Sequence, residues 1–153
     1  MMKKEIIEIV DKVLSASRKN LFWRKSIFSA HKGITPDELR MLDLKLGVQI
    51  PDDIRDWLFA AGYGDIDDEL SFREEWFSVI KVGQLKGGVI FAQDILGNYY
   101  AFDLNGNIYY LSRSQQVFAK VSDSFLLFIR ELINRDYKLV DWVETLDVKK
   151  YDW

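Results

Sequence analysis

The chain predicts an α+β domain: an antiparallel or mixed sheet of about five to six strands, flanked by N-terminal and C-terminal helices. Three observations predict it. Helical periodicity is concentrated toward the two ends of the chain, between 3 and 62 and again between 122 and 149. The stretch Gly87 to Ser112, GGVIFAQDILGNYYAFDLNGNIYYLS, is dense in strand formers and turn signals. Helices and strands are not interleaved as βαβ units would require, so the strands read as a meander core over 76–121. No linker or repeat divides the sequence, and 1–153 reads as a single domain.

Composition bounds the function. A chain of 153 residues with 48% hydrophobic and 14% aromatic residues is too apolar for disorder. Such a chain buries roughly 70% of its unfolded surface. The net charge of −3 argues against a general phosphate-binding surface, so no direct nucleic-acid partner is expected. With no cysteine there is no disulfide, no thiolate metal site and no cysteine nucleophile. Lys3 and Lys4 precede an apolar stretch that Glu5, Glu8, Asp11 and Lys12 interrupt, unlike a leader. No run approaches the roughly 20 apolar residues of a membrane span. A cytoplasmic location without membrane attachment is therefore expected.

Lys3 to Asn20 reads as an amphipathic helix with Ile6, Ile9, Val10, Val13 and Leu14 on one face. Leu21 to Ala30 reads as either a helical continuation or a loop that packs. Thr35, Pro36 and Glu38 form a capping box for a helix that ends at Gly47. Pro51 opens a second helix, with Asp52 and Asp53 in its first turn and Gly62 and Gly64 at its end. Asp65 to Glu75 is an acidic segment that reads as a loop. Trp76 to Val82, Val89 to Gln93, Tyr99 to Leu104, Ile108 to Ser112 and Val117 to Val121 read as strands. Asp94-Ile95-Leu96-Gly97 fits a type I turn. Asn105-Gly106 fits a two-residue loop that sets Leu104 opposite Asn107. On that register Tyr100, Phe102, Tyr109 and Leu111 share one face, and Tyr99, Ala101, Asp103, Ile108 and Tyr110 the other. Ser122 or Asp123 caps a helix through Ile133, and Lys138 to Lys149 reads as a last short helix.

Chemistry-bearing patterns are sparse. His31 is the sole histidine and lies in an undistinguished segment, where a solvent-facing role outweighs a triad. Asp103 to Asn107 departs from a calcium loop, with Gly fourth instead of sixth. No glycine-rich phosphate motif or HExxH is present. No catalytic residue, metal ligand or cofactor is expected. Asp65, Asp67, Asp68, Glu69, Glu74 and Glu75 have two readings: a solvated face, or a surface complementary to a basic partner such as a nuclease. Tyr63, Tyr99 and Tyr110 serve equally as interface anchors or core.

Three segments together resemble the SUKH superfamily. ITPDELRMLDLKLGVQIPDDIRDWLFAAGYG is similar to its first signature, through Ile34, Thr35, Glu38, Asp43, Gly47, Ile50-Pro51, Trp57 and Gly62. GVIFAQDILGNYYAFD resembles the second, through Phe91, Ala92, Asp94, Gly97, Tyr100, Phe102 and Asp103. Ser124-Phe125 with Phe128 resembles the third. Asp43 replaces a commoner Glu, Ile50 a commoner Leu, and the segment between Gly64 and Trp76 is short. The resemblance implies helices on a mixed sheet and no enzymatic activity. Bacterial members bind and neutralise a cognate toxin, often a nuclease; fungal relatives regulate cell-wall glucan synthesis. The implied function is a non-catalytic immunity protein whose partner is a toxin domain. The alternative is a regulatory scaffold of the cell-wall type, self-associating as a homodimer, with no toxin partner. Glu38, Gly47, Pro51, Trp57, Gly62, Asp94, Gly97, Phe102, Asp103 and Phe125 carry the family signature as structural positions.

Overall fold

A computed structural model describes residues 4–152. It confirms the α+β class, with a larger sheet than expected and antiparallel pairing throughout. Helix α1 (Lys4–Ser15) stops short of the predicted Asn20, and Lys3 lies outside the described residues. The chain then turns into two short strands, β1 (Ser17–Lys19) and β2 (Arg24–Ser26), which pair only with each other. Strand β3 (Phe28–Lys32) follows, so Leu21 to Ala30 is a hairpin and a strand, not a helix or a packed loop. Polar side chains alternate poorly here, and only Ile27 and Phe28 are buried, so periodicity was silent.

Helices α2 (Pro36–Leu46) and α3 (Asp52–Ala61) form as the capping signals predict. Thr35 and Glu38 close the box, with Glu38 N donating to Thr35 Oγ1 over 3.1 Å and Thr35 N to Glu38 Oε1 over 3.3 Å. Gly47 takes the left-handed conformation that ends α2. Asp43 braces the turn to α3, accepting from Ile50 N and pairing with Arg55. Gly62 ends α3 at φ 75° and ψ −164°, a region open essentially to glycine alone. A Cβ there would lie 2.6 Å from the Lys32 carbonyl oxygen, so the α3–β4 corner also requires a hydrogen at that position.

The acidic stretch is not one continuous loop, although Asp67, Asp68 and Glu69 form a turn within it. It forms β4 (Tyr63–Ile66) and β5 (Leu70–Phe72), whose Ile66, Leu70 and Phe72 are core residues. Glu74–Trp76 is a 3₁₀ turn, and the expected strand over 76–82 shrinks to β6 (Ser78–Val79). Then come β7 (Val89–Asp94), β8 (Tyr99–Phe102), β9 (Ile108–Leu111) and β10 (Val117–Ser122). Helix α4 (Phe125–Asn134) is capped by Ser124, whose hydroxyl accepts from Leu127 N. The last helix, α5 (Leu139–Val143), is shorter than Lys138 to Lys149, and β11 (Lys149–Lys150) replaces its end. Nine strands make one sheet in the order β11-β10-β9-β8-β7-β5-β4-β3, with β6 also on β7. Four of them, β3, β4, β5 and β11, lie outside the predicted meander.

One register differs from expectation. Asp103 N donates to Asn107 O over 3.1 Å, so Asp103 and not Leu104 faces Asn107. The loop has three residues, a type I turn closed by Gly106 at φ 83°. Phe102 pairs with Ile108 and Tyr100 with Tyr110. A one-residue slip turns every side chain of β9 over. Tyr100, Phe102, Ile108 and Tyr110 therefore face the main core, where all five helices also bury side chains. Tyr99, Ala101, Tyr109 and Leu111 face a smaller cluster around Tyr151, Ile80 and Leu85. Both sheet faces are covered, the second by the C-terminal segment and the 80–88 loop, not by a helix.

Candidate functional site

Each candidate carboxylate has a position within the fold. Asp67 and Asp68 occupy the β4–β5 turn in left-handed conformation. Asp67 Oδ2 accepts from Arg18 Nε and Nη2 at 2.9 and 2.8 Å. Asp68 pairs with Lys25. Asp65 Oδ1 lies 2.9 Å from Arg73 Nη2, at an angle outside hydrogen bonding. Glu74 Oε2 lies 3.3 Å from Lys32 Nζ. These bonds raise the pKa of each cation they bind: Arg18 through Asp67 and then Asp136, Lys25 through Asp68, and Lys32 through Glu74. Four of the six acids thus answer cations of the same chain. Glu75 is exposed. Glu69 is half-buried, with Oε2 shielded and unpartnered.

Burial raises the Glu69 pKa, with a backbone hydrogen bond at Val140 opposing it and Asp141, Asp67 and Asp94 reinforcing it. The folded chain therefore holds this proton more tightly than the unfolded chain. Stability falls as pH rises from the usual glutamate range through the raised folded value, and then stays level. Glu69→Gln should melt above the natural protein at neutral pH. The gap should close as pH falls toward the usual glutamate range, which a pH series of thermal melts would read.

Two of these acids, Asp67 and Asp68, converge on the bases of β1 and β2. Arg18 binds Asp67 and also donates to the Asp136 carbonyl over 2.7 Å; Lys25 binds Asp68. The β1–β2 hairpin is thereby tied to the β4–β5 turn and to the end of α4. Its tip is Leu21, Phe22 and Trp23, all exposed. Sequence reasoning missed this element. Its signal was the symmetric run Ser17-Arg18-Lys19-Asn20-Leu21-Phe22-Trp23-Arg24-Lys25-Ser26, in which paired cations flank an apolar triplet.

The turns of the central meander are two copies of one device. Asp94 Oδ1 accepts from Leu96 N and Asn98 N, both at 3.0 Å. Asp103 Oδ1 accepts from Asn105 N at 3.0 Å and Asn107 N at 2.9 Å. Gly97 and Gly106 supply the positive φ each loop needs. Asp94 is buried and also accepts from Tyr100 Oη at 2.9 Å. Burial first, then the Asp94 charge, hold the Tyr100 hydroxyl well above its ordinary range. Turn geometry accounts for both aspartates.

His31 is exposed on β3. Among the described residues no group of three or more His, Asp or Glu is placed to hold a metal ion. No helix among them is long and apolar enough to cross a membrane. A groove of about 300 Å³ between the β9–β10 turn and α5 is lined by Tyr110, Ser112, Val140 and Glu144. Of the tyrosines weighed as anchors, Tyr63 is buried and Tyr99 and Tyr110 are half-buried. The three signature segments, far apart in sequence, meet in one aromatic cluster. Trp57 and Phe125 rings are centred 5.8 Å apart, Phe91 and Phe125 5.9 Å, and Phe91 and Phe102 5.9 Å. No family model, no curated protein and no solved structure matches the chain.

Proposed function

We propose that this chain is a non-catalytic, stoichiometric protein-binding domain of the SUKH immunity type, which neutralises a cognate toxin by covering it. The observation that carries the reading is the convergence just described. Three loosely similar motifs belong to one packing unit: Trp57 from the first, Phe91 and Phe102 from the second, and Phe125 from the third. The remaining signature positions have structural work in the helix ends and turns around that unit. Glu38 and Gly47 cap α2, Pro51 starts α3, Gly62 turns into β4, and Asp94, Gly97 and Asp103 build the meander loops. A set of residues that builds a scaffold leaves partner contacts to vary elsewhere on the surface, as toxin-specific binding requires.

The acidic 65–75 segment supports this reading less than its charge suggests, because Asp65, Asp67, Asp68 and Glu74 already have cationic neighbours. Co-expression with the toxin encoded beside its gene tests the function. Growth should be restored. Continued killing, with both proteins present at comparable levels, would reject the immunity reading and leave the regulatory scaffold.

A further inference from the structure

The β1–β2 hairpin carries its most apolar side chains where the fold cannot cover them. Leu21 is 92% exposed, Phe22 89% and Trp23 51%. Leu21 and Phe22 occupy the central turn positions, where Gly, Asn or Asp usually sit. Neither has a positive φ, so no backbone requirement selects them. The tip is nevertheless held in shape. Asn20 Oδ1 accepts from Phe22 N at 2.8 Å and Trp23 N at 3.0 Å, and Asn20 N donates to Trp23 O over 2.9 Å. A preformed aromatic tip loses little freedom on docking, which is where interface anchors gain affinity.

Charge identifies what the tip fits. The ladder sets Arg18 opposite Lys25 and Lys19 opposite Arg24, two like-charged pairs that destabilise a bare hairpin. The first pair is answered by Asp67, Asp136 and Asp68 of the body. The second pair, on the other face and directly beside the tip, has no carboxylate partner among the described residues; Arg24 donates only to Ser17 Oγ. Building on the protein-binding function proposed above, we propose that Leu21, Phe22 and Trp23 anchor the partner interface. They seat in an apolar pocket of a partner protein whose rim supplies carboxylates to Lys19 and Arg24.

Two other occupants fit less well. Anionic lipid surfaces recruit clusters of about four to eight Lys and Arg. Of the four cations in the hairpin, only Lys19 and Arg24 lack a carboxylate partner among the described residues, on a chain of net charge −3. A second copy meeting tip to tip would oppose the same cations.

The test uses the toxin domain encoded beside the gene, with affinity measured for the natural chain, for Phe22→Ser with Trp23→Ser, and for Lys19→Glu with Arg24→Glu. All four side chains are exposed, so melting temperatures should stay within about 2 °C. Loss of the two aromatics should weaken binding at least about 100-fold, as for paired hot-spot residues. Charge reversal should slow association about tenfold and reverse its salt dependence. If the natural chain binds and the aromatic variant binds within twofold of it, the anchor assignment is wrong and the binding function stands. If the natural chain does not bind, the function itself fails and the anchor with it. Tip-dependent flotation on vesicles of phosphatidylglycerol and phosphatidylcholine, or tip-dependent dimers in the centrifuge, would also overturn the assignment.

Discussion

Trp57→Ala should remove about 4 kcal/mol of stability, as large aromatic deletions in packed cores do. Trp57 is fully buried and is the junction of the aromatic cluster. Its ring lies 6.0 Å from Phe28, 6.0 Å from Phe72 and 5.8 Å from Phe125, so it joins β3, β5 and α4 to α3. Alanine leaves a void between all four elements at once. Since domains are stable by only about 5–15 kcal/mol, the variant should unfold at much lower denaturant. Trp57→Phe provides the control. Trp57 Nε1 is buried without an acceptor, an energetic debit in the natural chain. Phenylalanine removes that donor along with part of the ring. Its cost should be less than half that of alanine. Equal costs in guanidinium titration would mean that the cluster does not act as a packed junction.

A matched pair of aspartates gives the second large effect. Asp94→Ala should cost about 3–4 kcal/mol and Asp103→Ala about 1 kcal/mol, although the two loops have the same backbone bonds. The difference lies in burial. Asp94 is 6% exposed and Tyr100 beside it 0%. Without the carboxylate, the Tyr100 hydroxyl and the Asn98 amide are stranded away from water, each costing about 1–3 kcal/mol. The Asp103 loop stands in solvent, with Leu104 and Asn105 exposed, so water replaces what the side chain gave. Asp94→Ala combined with Tyr100→Phe should recover part of the loss, because one orphan group disappears. Additive losses in the double variant would place the Tyr100 hydroxyl outside the Asp94 network.

Much of the scaffold was legible because its signals are local. Thr35, Glu38 and Gly47 announce α2 through backbone chemistry alone, and Pro51 and Gly62 bracket α3. The Gly87 to Ser112 meander was legible for the same reason. The Asn105-Gly106 pair suggested the shortest hairpin, however, and hid the Asp103 side chain that holds a three-residue loop open. That one-residue difference exchanged the faces of Ile108 and Tyr109.

The acidic segment was misread because charge density masks alternation. Ile66, Leu70 and Phe72 are the inward residues of β4 and β5, but their neighbours Asp65, Asp67, Asp68 and Glu69 set the local composition. What makes those acids structural lies elsewhere in the chain. Arg18 is 49 residues before Asp67, and Lys25 43 before Asp68. No local pattern links them. The hairpin tip was missed for a related reason. Leu21, Phe22 and Trp23 are apolar, and apolar residues in a sequence are read as core.

Calorimetric titration of the natural chain into the product of the adjacent gene, the cognate toxin under the function proposed above, with toxin activity followed in parallel, tests the central claim most directly. A binding protein without catalytic function should give heat that saturates at equimolar ratio, with activity falling in proportion and vanishing there. Absence of binding heat at two temperatures well apart, or full inhibition at a small fraction of an equivalent, would contradict it, the first because the heat-capacity change of apolar burial cannot hide at both, the second because only turnover could produce it.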